Sequence, residues 1–369
     1  MLSFGQFKSQ YTLKELSELD SIPFEKVKQL DIDCRNIKAE WFSIIQNLTQ
    51  VRRILVSCSD ENAFKLDDNE LSLAIGNLDS LKTITISFDS LETIPPFFVN
   101  ADQINTLSIS GAYLGEMPET VKKLKNLDWL LFSVKTCNKF PLDLSELKNL
   151  KTVNFGSENL KVFPQFIGTL ENLDEFAFSS NVIQVIPNIW KNLHNLRLID
   201  FYCPNLQIME GSMVELVNLY GIHFNKAFNL INLPDSLGSL PKLISVHINA
   251  AWKLKHIGNL SDSKSLEYLA FDSKNLKFFL KDIRELSDEL FFLRIGVFEA
   301  MELKKSKLSK LKAIKEIGLE TNYYLEKRTQ DTVYYYDQFF GHRPLATEEQ
   351  KEKLTRLYKI LPQVVKLNF

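Results

Sequence analysis

Residues 150–172 read LKTVNFGSENLKVFPQFIGTLEN, and residues 173–195 read LDEFAFSSNVIQVIPNIWKNLHN. Set one beneath the other, the two 23-residue lines share an apolar skeleton: Leu150 over Leu173, Val153 over Phe176, Phe155 over Phe178, Pro164 over Pro187 and Leu170 over Leu193. Self-similarity at a fixed period of this length marks a chain of stacked units, each too small to bury a core alone.

The skeleton extends in both directions. Units begin at Val27, Val51, Leu81, Ile104, Leu127, Leu150, Leu173, Leu196, Leu219, Leu243, Leu266, Leu290 and Ile314, and six consecutive spacings equal 23. The fourth position is apolar in every unit, from Leu30 and Ile54 to Leu293 and Ile317. The sixth is equally strict, with Phe132, Phe155, Phe178, Phe201 and Phe224 forming a phenylalanine column. Period-two alternation here predicts one short strand per unit, with positions four and six inside and three, five and seven outside. Proline recurs at position fifteen in Pro95, Pro118, Pro141, Pro164 and Pro187. Its fixed φ and missing N–H place it where the chain leaves the strand for an outer segment.

Over residues 27–319 this pattern resembles the leucine-rich-repeat family, whose typical unit ends x-(I/L)-P-x-x-(I/L)-x-x-L-x-x-L. The resemblance implies an α/β solenoid, a leucine-rich-repeat horseshoe with a parallel concave sheet and helical terminal caps. Its organisation would be an N-terminal helical cap over 1–26, about 13 repeats over 27–320, and a connector, helix and capping strand over 321–369. The family's buried asparagine at position nine is held only by Asn181. Ala112, Lys135, Glu158, Pro204 and Lys274 replace it, so irregular turns are expected after those strands. Extra residues between Val51 and Ser80 predict an acidic loop over 60–72. The opening and closing segments look like those of bacterial leucine-rich-repeat proteins, which suggests a bacterial source.

Thr12-Leu13-Lys14-Glu15 has capping-box spacing ahead of an apolar-periodic helix through Leu19, and residues 347–350 offer a second box before Leu354, Leu357 and Leu361. Val365, Leu367 and Phe369 alternate as a last strand, while the Tyr- and Phe-rich connector 322–346 is expected to pack on the cap.

Composition agrees with a folded chain. Of 369 residues, 45% are hydrophobic and 24% charged, with 13 glycines and 12 prolines, unlike a disordered or collagenous sequence. The net charge of −2 removes the compositional case for a nucleic-acid or membrane partner. Cys34, Cys58, Cys137 and Cys203 form no C-x-x-C pair and are expected to be reduced thiols. The opening residues lack a charged segment followed by an apolar one, and no window is long and apolar enough to span a bilayer, so a cytoplasmic monomer is expected.

Positions three, five and seven define the default binding surface. Most are small or polar, among them Thr106, Ser108, Ser110, Thr152, Asn154, Ser179, Ser245 and Asn249. Larger groups interrupt them at Trp129, Leu131, Leu198, Tyr202, Tyr268 and Phe292, with Arg294 beside the last. Aromatic residues on such a face either anchor a partner or pack on one another along the ladder. Asp200, His223 and His247 occupy the fifth position of three successive units. Their side chains point the same way instead of converging, which favours a pH-sensitive polar contact surface over a metal site.

No G-x-S-x-G, Walker loop, H-E-x-x-H or dinucleotide fingerprint is present, and neither a cofactor nor a metal is expected. Asp67-Asp68-Asn69-Glu70 lacks calcium-loop spacing. Lys304, Lys305, Lys307, Lys310 and Lys312 read as the solvated face of an outer helix. The expected function is therefore a non-enzymatic interaction scaffold holding a protein or peptide, as the resemblance also implies. The alternatives are a carbohydrate or small-ligand binder and the targeting repeats of a bacterial effector enzyme. The latter is disfavoured because the roughly 50 residues after the last repeat are too few for an independent catalytic core.

Overall fold

The thirteen repeat strands expected from the periodicity are present, and from Leu30 to Leu269 their fourth-position side chains are buried as the period-two pattern requires. The computed structural model describes residues 9–18, 24–36, 38–58, 68–94, 97–117, 119–139 and 143–271, with four strands and five isolated helical positions beyond them. The chain divides into two compact units, Met1–Val182 and Ile183–Phe369.

In the first unit, β1 (Gln10–Thr12), β2 (Gln29–Asp33), β3 (Arg53–Cys58), β4 (Thr83–Thr93), β5 (Thr106–Glu116), β6 (Trp129–Lys139), β7 (Thr152–Gly156) and β8 (Glu175–Ser179) pair in sequence order, all parallel. The register aligns equivalent repeat positions, so Ile84, Leu107, Leu130, Val153 and Phe176 form one fully buried row. Phe132 and Phe155 stack with ring centroids 5.1 Å apart, and Phe155 and Phe178 at 6.1 Å. Burying each such ring contributes about 2–3 kcal/mol. Pro164 ends the extended backbone; its carbonyl accepts from Ile167 N–H at 3.2 Å and opens the 3-10 turn Gln165–Thr169. Pro95, Pro118 and Pro141 lie outside the described residues.

In the second unit, β10 (Leu198–Tyr202), β12 (Gly221–Asn225), β13 (Ser245–Ile248), β14 (Tyr268–Phe271), β15 (Phe292–Gly296) and β16 (Glu316–Glu320) form the same kind of parallel ladder. On the outer side, β9 (Val185–Ile186) pairs with β11 (Ile208–Met209). Near the C-terminus, β17 (Tyr334–Asp337) and β18 (Gly341–Pro344) form an antiparallel hairpin within the connector, whose packing lies outside the described residues. Residues 352, 355–356 and 359–360 are helical, while the proposed last strand and the lysine run 304–312 also lie outside them.

Several details differ from the sequence expectation. The strands β4, β5 and β6 are each 11 residues long, not short. Where the position-nine asparagine is absent in β5 and β6, the backbone finds partners in the neighbouring strand, through Ser90↔Tyr113↔Thr136 and Leu91↔Leu114↔Cys137, instead of in an irregular turn. Gly111 permits this, because a Cβ there would lie 2.3 Å from the Phe88 ring. A second asparagine column, at the last position of the unit, ties repeats together. Asn126, Asn149 and Asn172 each donate Nδ2–H to the carbonyl 24 residues earlier, at 2.8 Å, as does Asn218 at 2.9 Å in the second unit.

At the N-terminus, Thr12 caps α1 (Leu13–Ser17) in the expected box with Glu15, but the residues before it form β1, adding a strand ahead of the first repeat. Part of the expected acidic loop is instead α2 (Asp68–Gly76), because Leu71 and Ile75 bury one face. The rest of that loop, 60–67, lies outside the described residues. The expected thiols Cys34 and Cys58 are joined in a disulfide. The parallel register is the cause: Asp33↔Ser57 pairing brings the next residues, 24 apart, side by side with Cα atoms at 5.2 Å. Cys137 and Cys203 are buried thiols.

Candidate functional site

The outward face of each ladder is built by the same register that buries the core, so equivalent outward positions stand in rows one strand apart. In the first unit, Trp129 and Leu131 on β6 are half-buried, not exposed. Trp129 stands between Thr106 and Thr152, and Leu131 between Ser108 and Asn154. Ahead of them lies a hydroxyl-rich patch on two strands, Thr83, Thr85 and Ser87 beside Thr106, Ser108 and Ser110.

The second unit carries the remaining candidates. Its third-position row runs Leu198, Gly221, Ser245, Tyr268 and Phe292. Gly221 lets Leu198 approach closely there: a Cβ would sit 3.0 Å from Leu198 Cδ1 and 3.8 Å from His223 Nε2. Its fifth-position row runs Asp200, His223, His247, Ala270 and Arg294. The side chains of Phe292 and Arg294 lie outside the described residues. Among the described residues of this face, Tyr202 and Tyr268 are the exposed aromatics, at 37% and 40%.

Asp200, His223 and His247 are brought together, but they do not converge. The two imidazoles stack with centroids 4.6 Å apart and planes 16° from parallel. Asp200 Oδ1 accepts from Asn225 Nδ2–H at 2.7 Å, and Asn225 Oδ1 accepts from Asn249 Nδ2–H at 3.0 Å. Burial holds the His223 imidazole below its ordinary value, against an opposing pull from Asp200. Among the described residues, no three His, Cys, Asp or Glu side chains are arranged to hold a metal ion.

Sequence reasoning missed two contacts of the second unit. Lys226 Nζ lies 4.8 Å from the Tyr202 ring centroid, and Phe228 stacks on Trp252 at 4.6 Å. Lys226 has a left-handed backbone, φ 51°, which carries its side chain back towards the preceding strand. A signal existed for the stack, since Phe228 and Trp252 are 24 residues apart and occupy the same repeat position, beyond positions three, five and seven.

No family model matches the sequence, and no curated relative does. Solved structures share the fold type at low identity. An internalin from Listeria monocytogenes is 18% identical, with a TM-score of 0.48, covering 81% of this chain and 82% of its own. A leucine-rich-repeat protein of Leptospira interrogans is 16% identical, with a TM-score of 0.39, covering 98% and 100%. The TLR13–ssRNA13 complex is 14% identical, with a TM-score of 0.46, covering 85% and 53%. Similarities this distant carry no functional weight. The in-phase parallel ladder, the buried fourth and sixth positions and the 23-residue period make the fold that of a leucine-rich-repeat protein.

Proposed function

We propose that the chain is a non-enzymatic scaffold that holds a protein or peptide partner on the outward face of its strands. The observation that carries this reading is the second-unit face, where exposed Tyr202 and Tyr268 flank a carboxylate–amide network already fixed by its own hydrogen bonds. Aromatic anchors beside pre-organised polar groups suit a protein interface, because little ordering entropy remains to be lost on binding. In this reading the segments before residue 27 and after residue 320 cover the ends of the repeat stack. The Cys34–Cys58 bridge suits oxidising surroundings.

The test uses the intact chain as bait, comparing wild type with Tyr202→Ala/Tyr268→Ala and, separately, Trp129→Ala. The double variant should bind its partner on the order of tenfold or more weakly while melting normally. Unchanged capture by both variants would remove the strand face from consideration. Loss of glycan-array binding in the same double variant, with no protein captured, would instead establish the carbohydrate alternative.

A further inference from the structure

Among the described outward residues of β10, β12, β13 and β14, Asp200 is the one carboxylate, and the others are neutral apart from the two imidazoles. We propose that this row receives a lysine or arginine side chain of the partner segment, with Asp200 as its counter-charge and His223 as a pH gate. The proposal rests on the scaffold reading above and names the chemistry of its occupant.

Three observations support a cationic occupant. Asp200 is half-buried and aimed by Asn225, which Asn249 aims in turn, so its carboxylate needs no reorganisation to meet a guest. The Tyr202 ring beside it already holds a cation, the Lys226 ammonium, showing that the edge of the row has the electron-rich face such a group prefers. The third-position row beside the imidazoles carries no charge: Leu198 lies against Gly221, Ser245 is small, and the exposed Tyr268 ring follows, so the row offers apolar surface next to Asp200. An extended segment lying across the strands could set its aliphatic stem there and its charged head at Asp200.

The gate follows from the groups around the imidazoles. With neutral imidazoles, Asp200 is the one charge on the described outward residues of these strands. Protonating His223, one strand from Asp200, places a positive charge about 5 Å away, neutralising the carboxylate and repelling the guest. Lys226, over the Tyr202 ring, opposes the guest at every pH. Arg294 is four strands from Asp200, about 19 Å by ladder spacing, and Glu316 is farther still, so salt screens both.

A phage-displayed library of random 12-residue peptides, panned on the intact chain at pH 7.5, would read the preference directly. Selected peptides should be enriched in lysine or arginine. In anisotropy titrations the best of them should bind Asp200→Asn, which keeps the Asn225 contact, on the order of tenfold more weakly. Wild-type binding should weaken several-fold between pH 7.5 and 5.5, and His223→Asn should flatten that dependence. Lys226→Asn, whose new residue tolerates the left-handed backbone, should bind more tightly. Enrichment of acidic peptides, or peptides lost in Tyr268→Ala but indifferent to Asp200→Asn, would overturn this proposal and leave the scaffold reading standing. Selected peptides indifferent to Tyr202→Ala/Tyr268→Ala and Trp129→Ala would overturn both.

Discussion

His223 shows how one residue serves two roles. Its ring is half-buried against the His247 ring, and burial lowers its proton affinity while Asp200 partly restores it. A histidine whose folded value lies below the unfolded value of 6.5 binds fewer protons folded than unfolded. Its contribution to stability is therefore complete above 6.5 and is lost as the pH falls from there through the folded value. Thermal melts should show this as a steeper loss of stability between pH 7 and 5 in wild type than in His223→Asn. Parallel losses would mean that other groups carry the acid sensitivity.

The phenylalanine column sets the energetics at the scale of elements. Phe155 lies between Phe132 and Phe178, stacked on both, with no exposed surface. Phe155→Ala would remove two stacking contacts and leave a cavity in a parallel stack that cannot collapse without breaking register. The expected cost is about 3–5 kcal/mol in urea unfolding; a cost under about 1 kcal/mol would show that the column is not tightly packed. Such positions were legible in the sequence because burial leaves a periodic apolar trace, and all thirteen repeat strands, β2 to β8, β10 and β12 to β16, stand where that trace placed them. The continuation of β4 to β6 was not legible, since it depends on what the next strand offers rather than on the segment's own pattern. Likewise β1 is too short to show alternation, and the asparagine column at the unit's end reads as ordinary loop polarity until its carbonyl partners are known. At the candidate site, Asp200, His223 and His247 were legible from repeat phase alone. The role of Lys226 was not, because its side chain reaches Tyr202 through a left-handed backbone at the end of β12.

At the scale of the whole molecule, stability in a repeat protein is approximately a sum of unit terms and nearest-neighbour contacts, so the ends open most readily. The Cys34–Cys58 disulfide ties together the first two repeats. Closing 24 residues into a loop is worth about 3 kcal/mol in the chain-entropy description. Equilibrium unfolding of the first unit should therefore shift to lower denaturant when reductant is added, while the double variant Cys34→Ser/Cys58→Ser should unfold at one position with or without it. A reductant-insensitive wild type would mean that the bond is absent in solution. The same covalent tie has a mechanical consequence. If the protein is pulled by its two ends until every contact is broken, the chain between the cysteines stays slack, and the stretched molecule is about 80 Å shorter than its residue count allows. That hidden length should be released as one late step when a thiol in solution cuts the bond under load.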